Sequence, residues 1–209
     1  MSEQQPEPTV FRRKLDKADF TRMNLPESYW RIRVQGVQPK VYEPTCNYLR
    51  RIDEMIRMGA GLWISGDQGV GKTSIAALAA KEARSRGFTV YFTSIWELRE
   101  CIRSRIGFDD NVTVLGRCQS VDLLVLDELR EDDADQHFFG AKQLEELLAH
   151  RRAAGKPSIV TTRLKADKLD RSFPGLRSPS EGSMVWFPVS GRNLRLDQAK
   201  VIKAAVFSS

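Results

Sequence analysis

The strongest chemical signal in the chain is the run Gly66-Asp67-Gln68-Gly69-Val70-Gly71-Lys72-Thr73, followed by Ser74. It fills every fixed position of the pattern Gly-x-x-x-x-Gly-Lys-Ser/Thr, a phosphate-binding loop. Glycines let such a loop curl so that successive N–H groups point at phosphates. The N-terminus of the helix that follows adds partial positive charge. Residues 66–74 are therefore the expected nucleotide contacts. Lys72 would reach the β- and γ-phosphates, and the Thr73 hydroxyl would ligate Mg²⁺. The expected cofactors are ATP and Mg²⁺.

A second motif, Leu123-Leu124-Val125-Leu126-Asp127-Glu128, ends an apolar run in two acids. In a sheet that also carries a phosphate loop this reads as a Walker B strand. Asp127 would join the Mg²⁺ shell, and Glu128 would orient and polarise the attacking water. Phosphoryl transfer to water needs little beyond positioning and charge neutralisation. A strand that merely ends in solvated acids is the bland alternative, and the complete phosphate loop weighs against it. The adjacent Asp-Glu pair favours a hydrolase over a small-molecule kinase.

Other residues could read or complete such a site. Residues 158–162 form a strand-like run that ends in Thr161-Thr162-Arg163. Thr162 or Arg163 could sense the γ-phosphate, and a plain strand-end turn is the alternative. Arg171 and Arg177 lie in a segment rich in Ser, Pro and Gly, and Arg192 follows the last expected strand. An arginine aimed at a neighbour's γ-phosphate would stabilise the transition state. Arg177 is the first choice for that role and Arg171 the second, so hydrolysis is expected to need a homo-oligomer.

Alternating elements must position these groups. Residues 62–65, 88–93, 121–126, 158–162 and 184–189 read as strands, the third a continuous apolar run suited to burial on both faces. Residues 73–86, 95–105 and 139–154 read as helices, with Gly87 and Gly155 as stops. Tyr48, Leu49, Ile52, Met55 and Ile56 mark an earlier helix that ends near Gly59. Strands separated by helices imply right-handed crossovers and a parallel sheet. The expected fold is a three-layer α/β phosphate-loop domain over residues 25–196, with little or no C-terminal lid. Residues 1–24 read as a flexible basic tail carrying Arg12, Arg13, Lys14, Lys17 and Arg22, in which Phe11, Leu15 and Ala18 allow a short helix. Residues 197–209 read as a C-terminal tail.

Composition narrows the function classes. The 209 residues are 41% hydrophobic and 29% charged, ordinary values for a soluble protein with a real core. No apolar run is long enough to span a bilayer, and residues 1–10 lack a signal-peptide core. A cytoplasmic protein with no membrane partner is expected. Cys46, Cys101 and Cys118 are far apart and odd in number, as expected of reduced thiols rather than a disulfide framework or a zinc site. Net charge is +6, compatible with nucleic acid without demanding it.

Taken in order, these motifs resemble those of the AAA+ ATPases of the DnaC/DnaI helicase-loader and IstB transposition-helper group, over residues 25–195. Leu25-Pro26-Glu27-Ser28-Tyr29 resembles the group's Pro-x-x-Tyr lead into the ATPase core. Residues 61–66 resemble its first strand, and residues 121–129 its Walker B strand. Residues 147–152 and 156–162 resemble the next helix and the sensor strand. Ser190-Gly191-Arg192-Asn193-Leu194-Arg195 resembles its Ser-x-Arg-x-Arg. At the sensor position this chain has Arg163 where the group usually carries Asn. The resemblance implies an ATP-controlled oligomer that binds single-stranded DNA and delivers a hexameric replicative helicase during DNA replication, or else assists a transposase. Arg99, Arg103 and Arg105 would then face DNA, Arg99 and Arg103 sharing a helix face at i, i+4. A nucleotide-gated scaffold with weak turnover is the remaining alternative.

Overall fold

The computed structural model describes residues 13–104, 111–135, 139–176 and 182–207. Five strands, β1 (Gly61–Ser65), β2 (Val90–Ser94), β3 (Leu123–Leu129), β4 (Ser158–Thr162) and β5 (Met184–Pro188), form one parallel sheet in the order β2-β3-β4-β1-β5. The helices are α1 (Lys17–Arg22), α2 (Pro39–Arg50), α3 (Ile52–Arg57), α4 (Lys72–Ser85), α5 (Ile95–Ser104), α6 (Asn111–Ser120), α7 (Ala141–Ala153), α8 (Ala166–Ser172) and α9 (Leu194–Phe207).

Strand alternation builds two apolar layers. Leu123 and Val125 enter one core with Leu62, Ile64, Phe92 and Ile159. Leu124 and Leu126 enter the other with Trp63, Tyr91 and Val160. Successive strand residues face opposite sides, so a run apolar at every position is covered on both. The first layer holds α4, whose buried Ala76, Ala77, Ala79, Ala80 and Ala83 let it lie close to the sheet. The second holds Leu144, Leu147 and Leu148 of α7.

The starts of β3 and β4 are tied together by Arg151 of α7, which is fully buried. It donates to the carbonyls of Cys118 (2.7 Å), Val121 (2.9 Å) and Pro157 (2.7 Å) and to Ser158 Oγ (3.0 Å). Burial pushes its guanidinium down to about 10. The opposite, carboxyl ends of these strands carry the chemistry.

Several segments differ from expectation. From Arg13 onward the expected tail is docked. Asp16 and Asp19 form a reciprocal cap at the start of α1, and Asp19 receives Arg13 (2.6 and 2.8 Å) and Arg84 (3.0 Å). Met23 is fully buried, its carbonyl accepts the Phe92 N–H at 2.8 Å, and Asn24 Nδ2 donates to the Phe92 carbonyl at 3.0 Å. β2 is an edge strand, so its outer backbone groups need partners, and this segment supplies both of those of Phe92. Residues expected as a C-terminal tail begin inside α9. The helix expected to end near Gly59 is two helices, with Arg51 outside helical geometry between them. Helices α6 and α8 fall outside the helices expected from the sequence.

Cys46 and Cys118 are buried free thiols, and burial pushes Cys118 up to about 12. Among the described residues, no helix is long and apolar enough to cross a membrane.

Candidate functional site

The chain leaves β1 through residues 66–71, whose Gly66, Gly69 and Gly71 have φ of 149°, 81° and 101°. At Gly66 the close approach also forbids a side chain, because a Cβ there would lie 2.1 Å from the Val189 carbonyl. The start of α9 braces the loop: Leu194 N–H donates to the Gly69 carbonyl at 2.9 Å. Lys72 folds its ammonium over the loop, donating to the carbonyls of Gly66 and Asp67, each at 2.8 Å. Burial, and then the charge of nearby Arg163, pull its pKa down. Val70 is buried beneath the loop, and Gln68, Gly69 and Ser74 border the cavity above it.

Two residues far apart in sequence meet at the loop's end. Thr73 Oγ1 donates toward Asp127, 3.0 Å from Oδ1 and 3.2 Å from Oδ2. Asp127 is mostly buried, which pushes its carboxyl up, while hydrogen bonds from Thr161 and Thr73 oppose the shift.

β3 carries one extra residue here. Leu126 pairs with Val160 and Leu129 with Thr162, so three steps on β3 match two on β4. This is a β-bulge, which bends the strand and re-aims its side chains. Glu128 adopts φ 64°, rare for a residue with a side chain and commonest at functional sites. Thr161 spans the bulge: its hydroxyl donates to Asp127 Oδ1 at 2.6 Å and accepts the Glu128 N–H at 2.9 Å. Both carboxylates consequently border one cavity of about 620 Å³, although consecutive strand residues ordinarily face opposite sides.

The same cavity is lined by Lys72, Arg163, Arg31 and Arg195. Tyr29 closes one side. Burial and the Asp127 charge raise its hydroxyl's pKa, against hydrogen bonding with Thr73 and Arg195. The residues present fit a nucleoside triphosphate with Mg²⁺. The loop's backbone is open to phosphates, cations surround it, and the hydroxyl of Thr73 with the carboxylate of Asp127 is the oxygen donor set that Mg²⁺ prefers.

Not every expected residue arrives there. Thr162 borders the cavity, but its hydroxyl donates to the Leu129 carbonyl at 2.8 Å and accepts the Leu164 N–H at 3.0 Å. Thr161 takes the polar position instead. Arg192 is 76% exposed, pairs with Asp197 at 3.1 Å and is not among the lining residues, whereas Arg195 is. The run Ser190–Arg195 contains both, and helical phase after Asn193 selects the second. Arg171 is exposed on α8 and pairs with Asp167 at 2.7 Å. Arg177 and Arg105 lie outside the described residues. Arg99 does not stand on an exposed basic face: its side chain is 12% exposed and pairs with Asp133 at 2.6 Å. Arg103 is exposed and pairs with Glu100. Tyr29, Arg31 and Thr161 were missed as site residues, although Tyr29 lay in the quoted Pro-x-x-Tyr run.

A phosphate loop after β1 and an acidic pair ending β3, with β4 between them, define an AAA+ phosphate-loop ATPase fold. Residues 41–175 match the IstB-like ATP binding protein family, and the chain belongs to that family. Its fold is similar to that of the DnaC helicase loader, at 20% identity and a TM-score of 0.64, over 79% of this chain and 100% of that one. It is similar to DnaI at 18% identity and a TM-score of 0.65, over 80% and 96% of the two chains. AMPPCP-bound DnaA from Aquifex aeolicus is similar at 20% identity and a TM-score of 0.62, over 88% of this chain and 57% of that one. No curated protein matches the chain.

Proposed function

We propose that this chain binds ATP with Mg²⁺, hydrolyses it, and acts as an ATP-controlled homo-oligomer on single-stranded DNA in the cytoplasm. The observation that carries the reading is the meeting of Thr73 with Asp127 beside the phosphate loop, at 3.0 Å, with Glu128 on the same cavity. Mg²⁺ held there would neutralise phosphate charge and polarise the γ-phosphoryl group. Lys72 binds the β- and γ-phosphates, and doing so exchanges its two loop carbonyls for stronger charged partners. Thr161 holds Asp127 toward the metal position. Glu128 orients the attacking water, and Arg163 faces the γ-phosphate from the end of β4.

The leading role is that of a helicase loader in DNA replication, supported by a fold like that of DnaC and DnaI. The family match favours an IstB-like ATPase that assists a transposase as the second reading. Hydrolysis takes an arginine from the neighbouring subunit, with Arg177 or Arg171 as the source, an effect typically worth about 10³–10⁵ in rate.

The test measures ATP binding and steady-state turnover for the wild type and Lys72→Ala, with and without single-stranded DNA. The wild type should bind and hydrolyse ATP, and Lys72→Ala should lose both while melting normally. Unchanged affinity and turnover in that variant would sink the assignment. Pull-downs with a hexameric helicase and with a transposase then separate the two roles.

A further inference from the structure

A second cavity, of about 410 Å³, opens where the segment leading into α1 and the residues after Tyr29 meet Lys81 of α4. Lys81 lies about 13 Å along the helix axis from Lys72, well beyond the phosphate loop. The two cavities share Arg31 and Ile32 as a common wall. The floor of the second is apolar. Phe20 and Trp30 stack there, with ring centroids 5.1 Å apart and planes 21° from parallel, beside Leu15. The Trp30 indole N–H is occupied by the Leu25 carbonyl at 2.8 Å.

The rim is cationic. Arg13 pairs with Asp19, but among the described residues no carboxylate pairs with Lys14, Arg31 or Arg33, which also line the cavity and are exposed. Asp16 and Asp19 come from the same segment, yet neither lines it. Lys81 is buried and donates to the carbonyls of Trp30 and Ile32, each at 2.9 Å. Burial, and then the Arg33 charge, pull its pKa down. An anion beside these cations offsets their mutual repulsion.

Every polar side chain that lines the cavity is a donor, and none can accept a hydrogen bond. An extended peptide would bring N–H groups that such a lining cannot receive. A phosphodiester backbone brings acceptors only, and guanidiniums match phosphate with paired donors. Bases add flat faces, and aromatic platforms with cationic rims hold single strands.

We propose that this cavity holds one nucleotide of a single-stranded DNA, its base extending the Phe20–Trp30 stack and its phosphates held by Lys14, Arg31 and Arg33. This rests on the single-stranded DNA reading given above and adds a contact surface apart from α5. A ribose 2′-hydroxyl would bring a donor that no lining side chain receives, so the site gives RNA no advantage. Because Arg31 borders both cavities, the strand would sit next to the bound nucleotide.

The test measures fluorescence anisotropy of a labelled oligothymidylate with the full chain at several salt concentrations, and ATP affinity in parallel. Lys14→Ala and Arg33→Ala should each weaken DNA binding about fourfold, lower its salt slope by about 0.7–1 and leave ATP affinity unchanged. Trp30→Leu should weaken DNA binding about fivefold or more at an unchanged salt slope, and Trp30→Phe should recover most of it. Wild-type affinity and slope in both Lys14→Ala and Arg33→Ala overturn the proposal, whether or not Trp30→Leu folds. So does displacement of the strand by polyglutamate as effectively as by unlabelled oligothymidylate, which would assign the cavity to an acidic peptide. Clearly tighter binding of oligouridylate overturns the assignment to DNA. If the wild type binds the strand and Arg103→Ala weakens it while these variants do not respond, only this surface is wrong. If the wild type binds no single strand, the DNA reading itself falls.

Discussion

Thr161 donates its hydroxyl to Asp127 Oδ1 at 2.6 Å, across the point where β3 and β4 fall out of step. The contact couples a backbone irregularity to a metal-ligand position. Without the extra residue on β3, Asp127 and Glu128 would face opposite sides of the sheet. With it, both reach the cavity, and the Thr161 hydroxyl fills the hydrogen-bonding gap that the bulge opens.

Thr161→Val keeps the shape of the side chain and removes that hydroxyl. The Glu128 N–H then loses its acceptor and Asp127 loses its shortest donor, a cost of about 1–3 kcal/mol. Urea denaturation should register the loss, and Mg²⁺-dependent nucleotide binding should weaken with it. Thr161→Ser should restore most of both. Equal stability for the Val variant and the wild type would mean that the bulge holds itself.

Glu128→Gln should retain ATP binding and lower turnover by about 10²-fold or more, because the amide orients water without accepting its proton. Single-turnover measurements with pre-bound ATP isolate the chemical step. Full turnover in this variant would assign the water to another residue.

Asp19 makes acid stability testable. The Arg13 guanidinium, with the Asp16 N–H and Arg84, holds its carboxyl well below the usual carboxylate range despite burial. The unfolded chain titrates this group at about 3.9, so between the two values the unfolded state binds more protons. The stabilisation is therefore complete above about pH 5 and drains away as the pH falls toward the folded value. Asp19→Asn should cost about 2 kcal/mol near neutrality and progressively less in acid. Denaturation midpoints across a pH series check this, and a loss independent of pH would contradict it.

Arg99 and Arg103 should separate cleanly. Arg99→Ala takes from the nearly buried Asp133 its charged partner and leaves it the Arg130 N–H at 2.7 Å, and should lower stability by about 1–3 kcal/mol. Arg103→Ala should leave stability alone, weaken single-stranded DNA binding and reduce its salt slope by about 1. Fluorescence anisotropy at several salt concentrations reads both quantities. DNA affinity that ignores Arg103 would move the contact to another basic surface.

The phosphate loop, the acidic pair ending β3 and the alternation of strands with helices were all legible in the sequence. Each is a local pattern: fixed spacing, glycine placement, or an apolar run of strand length. Composition and periodicity also pointed to two covered faces on β3, and burial of Leu123 through Leu126 on alternating sides bears this out. Other features depend on residues that spacing cannot bring together. Thr161 rather than Thr162 serves Asp127 because a bulge in one strand shifts its register against the next. Arg195 rather than Arg192 lines the cavity because α9 begins against the Gly69 carbonyl and turns that side chain inward. Arg99 leaves the basic face because Asp133, from beyond β3, lies within reach. Residues 13–24 dock because an edge strand offers backbone groups that no local pattern in that segment announces. Chemistry written in consecutive residues was determined by the sequence itself. The choice among neighbouring candidates was made by register, helix phase and long-range pairing, which exist only once the sheet is assembled.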